Sequence, residues 1–398
     1  MIGILLNNSI FWCNLPMGET SSSEQTLKRL QLPVDRFTFD FLRKISKDDK
    51  NIFVSPIGII VLYTILLEGA HGKTADQIME VFHLKDQFKN INDVRITMEE
   101  LIKRLDKRDQ DLTIKMANKA LINKDIKLKQ QFQEIIQKNY SALIEQEDLT
   151  KKAIIKKLNK WVSQETNKLI PQMFTQPFGG NTILVLLNVL YFKGLWMEVF
   201  KPCKKKQYFH NLDGTKKKVR MMENWGIRFD FSYLEEEKLK IVRLPYKKGA
   251  SMYIFMPLEV NGIQAFIDNL DAQKMQKYMQ TGRSYELSPM RMPLLRLEDT
   301  HNLSEILPAM GLSLPFSNLA DLTGITDGSL HISSSVQKTV IIVDEKGTEA
   351  AAATCIPTNL SGFHSRPEFI LDRPFIFFIR DEEILINLFV GVVKNLPN

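Results

Sequence analysis

The chain is poor in the residues that build disulfide frameworks and metal centres. Its 398 residues include three cysteines, at positions 13, 203 and 355, and six histidines. Three widely separated cysteines are too few to form a disulfide framework, and the histidines show no close pairing of the kind that zinc sites use. We therefore expect no metal site and no required cofactor.

The sequence also lacks the short motifs that mark common catalytic sites. It contains no G-x-S-x-G sequence, no glycine-rich phosphate-binding loop and no H-E-x-x-H sequence. These are signatures of serine hydrolases, nucleotide-binding enzymes and zinc proteases. Acidic residues that could act in catalysis lie in plainly charged helices or turns. These absences predict a protein that is not an enzyme.

The N-terminus lacks a basic residue before Lys28, although its first 18 residues are largely apolar and precede the polar stretch ETSSSEQ (19–25). A leader removed on export often has this order of apolar and polar segments. Residues 1–18 are thus a candidate signal peptide, and we expect secretion, with a cytoplasmic location as the alternative. The apolar run is too short and too interrupted to span a bilayer, so we expect no membrane partner.

Positive charge exceeds negative charge, but the two are interleaved along the chain. The formal net charge is +7 and the sequence pI is about 9.0. Such a balance attracts polyanions in general. Since no zinc finger, base-stacking platform or recognition helix accompanies it, we expect no nucleic-acid partner.

Hydrophobic periodicity divides the chain into an earlier helical part and a later β-rich part. Apolar residues recur at helical spacing in segments 32–45, 92–108 and 149–167. The β-rich segments are 181–192, 251–257, 339–343, 375–380 and 386–393. The first of these is a nearly continuous apolar run, which is typical of a strand buried on both faces. No repeat or linker divides the chain, so we expect one α+β domain over residues 26–398.

Residues 344–367, DEKGTEAAAATCIPTNLSGFHSRP, follow the apolar stretch TVIIV and carry little charge after Glu349. Four consecutive alanines favour a helix, but small side chains flanked by threonine also fit an interior strand. A flexible linker would be richer in glycine, serine and charge. We expect this segment to be able to become a strand.

Eight segments resemble conserved blocks of the serpin family, and they occur in the family's order. They are NIFVSPIGI (51–59), WVSQETNKLIPQMF (161–174), NTILVLLNVLYFKGLWMEVF (181–200), LPYKKGASMYIFMP (244–257), MGLSLPFSNLADLTGI (310–325), VDEKGTEAAAAT (343–354), DRPFIFFIRD (372–381) and FVGVV (389–393). The resemblance implies three β-sheets, about nine helices and an exposed reactive-centre loop.

The resemblance assigns residues 345–367 to the hinge and reactive-centre loop of a protease inhibitor. In inhibitory serpins a protease cleaves this loop, whose first part then inserts into the central sheet while the acyl-linked protease is distorted. The hinge residues are Glu345, Gly347, Thr348, Glu349, Ala350, Ala351, Ala352, Ala353 and Thr354. If Thr348 and Ala350 face inward, Glu349 faces solvent. The alternative is a non-inhibitory serpin that acts as a carrier, chaperone or storage protein.

The family's loop length places the cleaved bond at Ser361-Gly362. A shift of one residue gives Leu360-Ser361, and Phe363 is a further candidate. The first bond suits a protease with a small primary pocket or a papain-like cysteine protease. The second suits a chymotrypsin-like or elastase-like serine protease. We expect the inhibitor to be a monomer.

A polar cluster beneath the central sheet, called the shutter, controls sheet opening in inhibitory serpins. Ser55, Pro56 and Asn188 match the family pattern, whereas Gln337 replaces a histidine and Gly58 replaces a serine. Glutamine can both donate and accept hydrogen bonds. The replacement nevertheless predicts a sheet that opens somewhat more readily.

Two kinds of surface feature add further expectations. Three glycosylation sequons begin at Asn139, Asn302 and Asn359, and a glycan on Asn359 would hinder a protease at the loop.

Basic clusters could bind a sulfated polysaccharide as a cofactor, as such clusters do in some serpins. The clusters are Lys103, Arg104, Lys107 and Arg108; Lys204, Lys205 and Lys206; and Lys216, Lys217 and Lys218.

Overall fold

Helices surround the sheets in the computed structural model, which describes residues 22–106, 111–347 and 366–397. Within these ranges there are ten α-helices and two short 3-10 helices, Pro308–Met310 and Leu314–Phe316. The α-helices are α1 (Ser22–Lys28), α2 (Gln31–Ile45), α3 (Pro56–Leu67), α4 (Gly72–Val81), α5 (Ile91–Leu105), α6 (Gln130–Tyr140), α7 (Lys152–Glu165), α8 (Ile263–Asn269), α9 (Ala272–Gln280) and α10 (Leu303–Ile306).

Eighteen strands complete the secondary structure of the described residues. They are β1 (Ile52–Val54), β2 (Leu112–Asn123), β3 (Leu143–Glu147), β4 (Leu184–Gly194), β5 (Lys201–Pro202), β6 (Gln207–His210), β7 (Lys216–Val219), β8 (Met221–Asn224), β9 (Ile227–Leu234), β10 (Leu239–Pro245), β11 (Ala250–Pro257), β12 (Arg283–Leu287), β13 (Met290–Pro293), β14 (Leu295–Asn302), β15 (Ile332–Val343), β16 (Phe369–Ile370), β17 (Phe375–Asp381) and β18 (Ile386–Val393).

The strands form three larger sheets and one hairpin. A seven-stranded sheet has the order β1-β18-β17-β11-β10-β9-β12, and a four-stranded sheet has the order β16-β13-β8-β5. The central five-stranded sheet has the order β14-β15-β4-β2-β3, and β6 pairs with β7 as a separate hairpin. The predicted α+β architecture with three principal sheets is confirmed.

The central sheet is covered on both faces, as the apolar run of β4 predicted. Leu186 and Leu190 belong to the main hydrophobic core, which also contains the fully buried α3. Leu187 and Val189 instead pack with Leu158 and other residues of α7 in a second cluster. This alternation places α3 on one face of β4 and α7 on the other.

The earlier part of the chain, which periodicity predicted to be helical, also contains the strands β1, β2 and β3. Strand β2 carries Lys115, Asn118 and Lys119 among its apolar residues, so it has no simple alternating pattern. Lys119 is nevertheless buried, since its Nζ lies 3.0 Å from Glu145 Oε1 and 4.9 Å from the centre of the Trp161 ring. Tertiary partners therefore stabilise a strand that local sequence does not predict.

Candidate functional site

The candidate site lies at the boundary between β15 and β4, which we call the seam. The two strands are parallel, and their pairing runs from Ile332 opposite Leu184 to Val340 opposite Tyr191. Beyond these residues β15 continues to Val343 paired with β14, and β4 continues to Gly194 paired with β2. Among the described residues, the seam is thus closed at its centre and has no β15–β4 pair from Ile341 to Val343, after which Gly347 forms an isolated antiparallel bridge with Leu195.

Gln337 connects the two strands of the seam to the start of α3. Its side-chain Nε2 donates to Asn188 Oδ1 at 2.6 Å and to the Ser55 carbonyl at 2.9 Å, and its Oε1 accepts from the Ser55 amide at 3.0 Å. All three residues are completely buried. Because each polar atom of the glutamine amide has a partner, the replacement of histidine leaves no hydrogen-bonding group of Gln337 unused.

Ser55 is fixed by its position at the beginning of α3. Its Oγ donates to the Leu388 carbonyl at 2.7 Å and accepts from the Gly58 amide at 3.3 Å, as an N-cap residue does. Pro56 occupies the first helical position, where no backbone N–H is needed. The cap therefore holds the Ser55 backbone in place for Gln337.

The glycine at position 58 is required by the close approach of Asn188. A Cβ atom placed on Gly58 would lie 2.7 Å from Asn188 Oδ1, the atom that accepts from Gln337. A serine there would therefore displace the asparagine or the helix. The departure from the family pattern at Gly58 fits the packing of this chain.

Sequence reasoning missed a further member of the cluster, Asn118 on β2. Asn188 Nδ2 donates to Asn118 Oδ1 at 2.7 Å, and the two residues are direct partners in the antiparallel pairing of β2 with β4. The only sign of Asn118's role in the sequence is that it is a polar residue within a moderately apolar segment. It could be used only once β2 was known to be a strand beside β4.

The hinge begins in contact with the segment that follows β4. The amides of Trp196 and Phe200 donate to the carbonyls of Lys346 and Glu345 at 3.0 and 2.7 Å, and the Trp196 indole donates to the Asp344 carbonyl at 3.0 Å. Partial burial raises the pKa of the Asp344 carboxyl. Residues 344–346 are therefore held at the end of the seam that adjoins the loop.

Gly347 occupies a position that other residues would not tolerate. Its φ angle is 145°, and an added Cβ would lie 2.1 Å from the Gly194 carbonyl oxygen. Glycine alone accepts this backbone conformation readily and has no Cβ to meet the neighbouring chain. The structure thus gives Gly347 two physical reasons to be glycine.

The central part of the loop, residues 348–365, lies outside the described residues. This range contains the candidate bonds formed by Leu360, Ser361, Gly362 and Phe363, the hinge residues Thr348, Glu349, Ala350, Ala351, Ala352, Ala353 and Thr354, and the sequon at Asn359. The chain is described again from Arg366, whose Nη1 lies 2.9 Å from Glu286 Oε1. The next residue, Pro367, accepts at 3.0 Å from the Ser288 amide. Both ends of the loop are therefore anchored to known elements.

The two described sequons differ in how their asparagines are used. Asn139 lies in α6 and donates through Nδ2 to Glu99 Oε2 at 2.5 Å, whereas exposed Asn302 caps α10. Nδ2 is the atom to which a glycan would be attached. Nδ2 of Asn302 also donates, to Glu305 Oε1 at 2.7 Å within its own helix, whereas the Asn139 bond joins α6 to α5. Because Asn302 is exposed, it is the more accessible candidate.

The basic clusters are also unequal. Lys103 forms ion pairs with Glu99 and Glu100, and Arg104 does so with Asp381 and Glu383, while Lys107 and Arg108 lie outside the described residues. The other two clusters adjoin, because β6 follows Lys206 and pairs with β7, which contains Lys216, Lys217 and Lys218. The hairpin therefore combines positive charges that the sequence separates.

No helix of the described part of the chain is both long enough and apolar enough to cross a membrane.

Comparison with known proteins identifies the family. The family model described as "Serpin (serine protease inhibitor)" matches residues 33–396. Human Serpin B4 is 32% identical over 378 residues, which cover 89% of this chain and 96% of the relative. Among solved structures, Serpin48 of the insect Tenebrio molitor has a TM-score of 0.80 at 27% identity, with coverage of 96% of this chain and 100% of the other.

Human thyroxine-binding globulin, solved with its ligand, has the same fold. Its TM-score is 0.84 at 24% identity, and the match covers 94% of this chain and 100% of that one. At this level of identity the likeness concerns the fold alone. With the family model matching most of its length, the chain belongs to the serpin family.

Proposed function

We propose that this serpin inhibits proteases as a suicide substrate. Members of its family are mostly protease inhibitors rather than enzymes. The observation that carries the proposal is the state of the seam, which is closed from Ile332 to Val340. From Ile341 to Val343 no β15–β4 pair forms, and beyond this gap only an isolated bridge, between Leu195 and Gly347, joins the two sides within the described residues. A cleaved loop would enter at this end.

The connectivity of the sheet supports the insertion step. Strands β15 and β4 are parallel, and a loop that reverses direction after Val343 would run antiparallel to both. One parallel ladder would be replaced by two antiparallel ladders, which contain more hydrogen bonds and are slightly more stable per residue. Insertion thus has a thermodynamic driving force.

Opening the seam requires the hydrogen bond between Gln337 and Asn188 to break. Adjacent strands lie about 4.8 Å apart, so a strand inserted between them roughly doubles their separation. The two side chains are now 2.6 Å apart at their nearest polar atoms and could not remain bonded directly. The Gln337–Asn188 bond is therefore part of the resistance to premature opening.

The hinge contacts provide a second resistance at the entrance. Hydrogen bonds from Trp196 and Phe200 hold the carbonyls of residues 344–346 against the segment after β4. A typical intramolecular hydrogen bond contributes about 1 kcal/mol net, so a few such bonds delay insertion without preventing it. The small side chains of Ala350 to Thr354 then offer little steric obstacle between the covered faces of the sheet.

The chemistry requires only that the protease begins its ordinary reaction. Its serine oxygen, or a cysteine sulfur, forms an ester or thioester with the carbonyl of Ser361, and the peptide bond to Gly362 breaks. The released amine of Gly362 takes the proton held by the protease's histidine. Insertion must then move the protease before water hydrolyses the acyl bond. The Leu360-Ser361 bond and Phe363 are alternatives for the same step.

The test is a panel of chymotrypsin-like, elastase-like and papain-like proteases mixed with the full chain and separated on a denaturing gel. We expect a complex that resists SDS with at least one protease, and mass spectrometry of the released C-terminal peptide identifies the bond. Clean cleavage by every protease, without a complex, would favour a carrier, chaperone or storage role. Secretion and glycosylation at Asn359 remain predictions, which the mass of the exported protein tests.

A further inference from the structure

We propose that Trp225 belongs to a secondary binding surface for the protease engaged by the reactive loop. This inference rests on the proposed function and deepens it, because it adds a determinant of protease choice outside the cleaved segment. The chain has four tryptophans, and three lie in its described part. Trp161 and Trp196 are 7% and 1% exposed, whereas Trp225 is 53% exposed. An exposed tryptophan is the type of side chain that dominates many protein interfaces.

Trp225 is held in place by its surroundings although its ring is open to solvent. The Arg291 guanidinium lies 5.3 Å from the centre of the indole ring, and Arg291 Nε donates to Glu223 Oε2 at 2.8 Å. The preceding Asn224 donates through Nδ2 to the Val199 carbonyl at 3.2 Å. A fixed aromatic surface loses little conformational freedom on binding, which favours affinity.

A short chain of contacts connects Trp225 to the point where the loop returns. The Gly226 amide donates to the Leu287 carbonyl at 3.0 Å, and the amide of the next residue, Ser288, donates to the Pro367 carbonyl at 3.0 Å. Glu286, which precedes Leu287 on β12, forms an ion pair with Arg366. Trp225 is therefore attached through two hydrogen bonds to the C-terminal root of the loop.

The length of the loop determines what can cover this surface. Gly362 lies four residues before Arg366, and an extended chain spans at most about 3.6 Å per residue, so the proposed bond lies within roughly 15 Å of Arg366. A globular protease of about 200 residues has a radius of gyration of roughly 16 Å. A protease that holds Ser361 in its active site is thus large enough to reach the loop root and the aromatic ring beside it.

The experiment compares the wild type with Trp225→Ala and with Tyr233→Ala. Tyr233 is a matched control because it is an aromatic residue of similar exposure, 50%, at the other end of β9. Trp225 lies two residues before β9 begins, whereas Tyr233 lies near its end, opposite Lys240 of β10. The second-order rate constant of complex formation is measured with each protease that the wild type traps. We expect Trp225→Ala to lower it by about 10-fold with at least one protease and Tyr233→Ala to change it less than 2-fold.

The number of inhibitor molecules consumed per protease should not change in Trp225→Ala, because loop insertion does not involve this residue. Equal rate constants for all three proteins would overturn the proposal. So would a dimer of the wild type that Trp225→Ala dissociates without any change in rate, because the ring would then contact a second copy of the chain. Thermal unfolding of both variants near the wild-type temperature confirms that a slower rate is not a loss of folding.

Failure of the proposed function can be distinguished from failure of this inference. If the wild type forms no stable complex, the inhibitory role is wrong, and the rate at which each protease cleaves the loop becomes the measurement. Slower cleavage of Trp225→Ala than of Tyr233→Ala would still support the secondary surface. Equal cleavage rates would overturn it.

Discussion

The side-chain amide of Gln337 donates to Asn188 Oδ1 at 2.6 Å, which joins two parallel strands of the central sheet. The same amide pairs with the backbone N–H and carbonyl of Ser55 at the start of α3. One buried side chain therefore links β15 to β4 and to the helix beneath them. If the loop inserts between these strands, the state of this amide helps to decide when the sheet opens.

Replacing Gln337 with methionine tests this linkage. The two side chains have similar shapes, but methionine leaves the Ser55 amide and Asn188 Oδ1 without the partner that Gln337 provides, while the Ser55 carbonyl keeps only its bond from the Ile59 amide. An unsatisfied buried polar group costs about 1–3 kcal/mol, so we expect a lower temperature of heat-induced polymerisation on native gels. Gln276→Met, at an exposed position of α9, is the control and should leave that temperature unchanged. Equal temperatures for both variants would refute the linkage.

Gln337→His distinguishes the family pattern from the hydrogen-bond geometry. The pattern, with histidine at this position, predicts that the variant polymerises at a higher temperature. A neutral imidazole has one donor and one acceptor, whereas Gln337 makes three hydrogen bonds, so the geometry predicts no rise. A measured rise would show that glutamine weakens the shutter.

Gly347→Ala should detach the start of the hinge. The new Cβ would collide with the Gly194 carbonyl, and alanine tolerates a φ of 145° poorly. We expect faster hydrogen exchange at the amides of Trp196 and Phe200, which donate to hinge carbonyls. Gly328→Ala is the matched control, because nothing lies within 4 Å of the added atom there. Unchanged exchange in Gly347→Ala would show that these contacts do not hold the hinge.

Asp35 should make stability depend on pH. Burial raises the pKa of this carboxyl to about 7, although Arg380 and a hydrogen bond from Asn387 act in the opposite direction. The folded state then holds the proton more tightly than the unfolded state, whose Asp pKa is about 3.9. The stability it contributes is complete below pH 4 and is lost as the pH rises through about 7.

Asp35→Asn removes this titration while Oδ1 can still accept from Asn387. Denaturant unfolding at pH 5, 6, 7 and 8 should show that the wild type loses stability with rising pH, by an amount on the order of a few kcal/mol. In the variant, the free energy of unfolding should not show this decrease with rising pH. Parallel curves for the two proteins would mean that Asp35 has an ordinary pKa.

The β6–β7 hairpin is the surface on which we expect a sulfated polysaccharide to bind. Its two lysine clusters adjoin, whereas Lys103 and Arg104 of the α5 cluster are occupied by ion pairs. Changing Lys216, Lys217 and Lys218 to alanine should lower the salt concentration needed for elution from heparin more than it does on a cation exchanger. The control changes Lys152, Lys156 and Lys160 of α7, an equal loss of charge. Equal shifts on both resins would exclude a specific site.

The elements that sequence predicts well are those whose own residues are sufficient to explain their burial. The apolar run of β4 and the periodic face of α2, with Phe37 and Phe41 buried, required no knowledge of neighbours. Strand β2 was missed because Lys119 and Asn118 obscure its pattern until their partners Glu145 and Asn188 are known. Local preference is informative only when tertiary contacts do not override it.

The candidate site, too, could be predicted only in part from the sequence. Ser55, Asn188 and Gln337 could be named from the family pattern, but whether a glutamine could serve there depended on distances that sequence does not contain. The suitability of Gly58 became clear only from the position of Asn188 Oδ1. The contacts between the hinge and residues 195–200 join segments far apart in the chain, so no local pattern could predict them.

The most direct test of loop insertion compares Ala352→Arg with Ala351→Arg. Alternation along a strand places residues 348, 350, 352 and 354 on one face and residues 349 and 351 on the other. If the first set faces the main hydrophobic core, arginine at 352 must be buried there without a partner. Arginine at 351 lies with Glu349 on the α7 side of the sheet, where its long side chain can extend past the helix to solvent.

The measurement uses a protease that the wild type traps and records what fraction of the added protease is found in the SDS-resistant complex. We predict that Ala351→Arg traps it as the wild type does, while Ala352→Arg is cleaved at the same bond and releases active protease. Equal trapping by both variants would contradict the insertion of this segment into the seam.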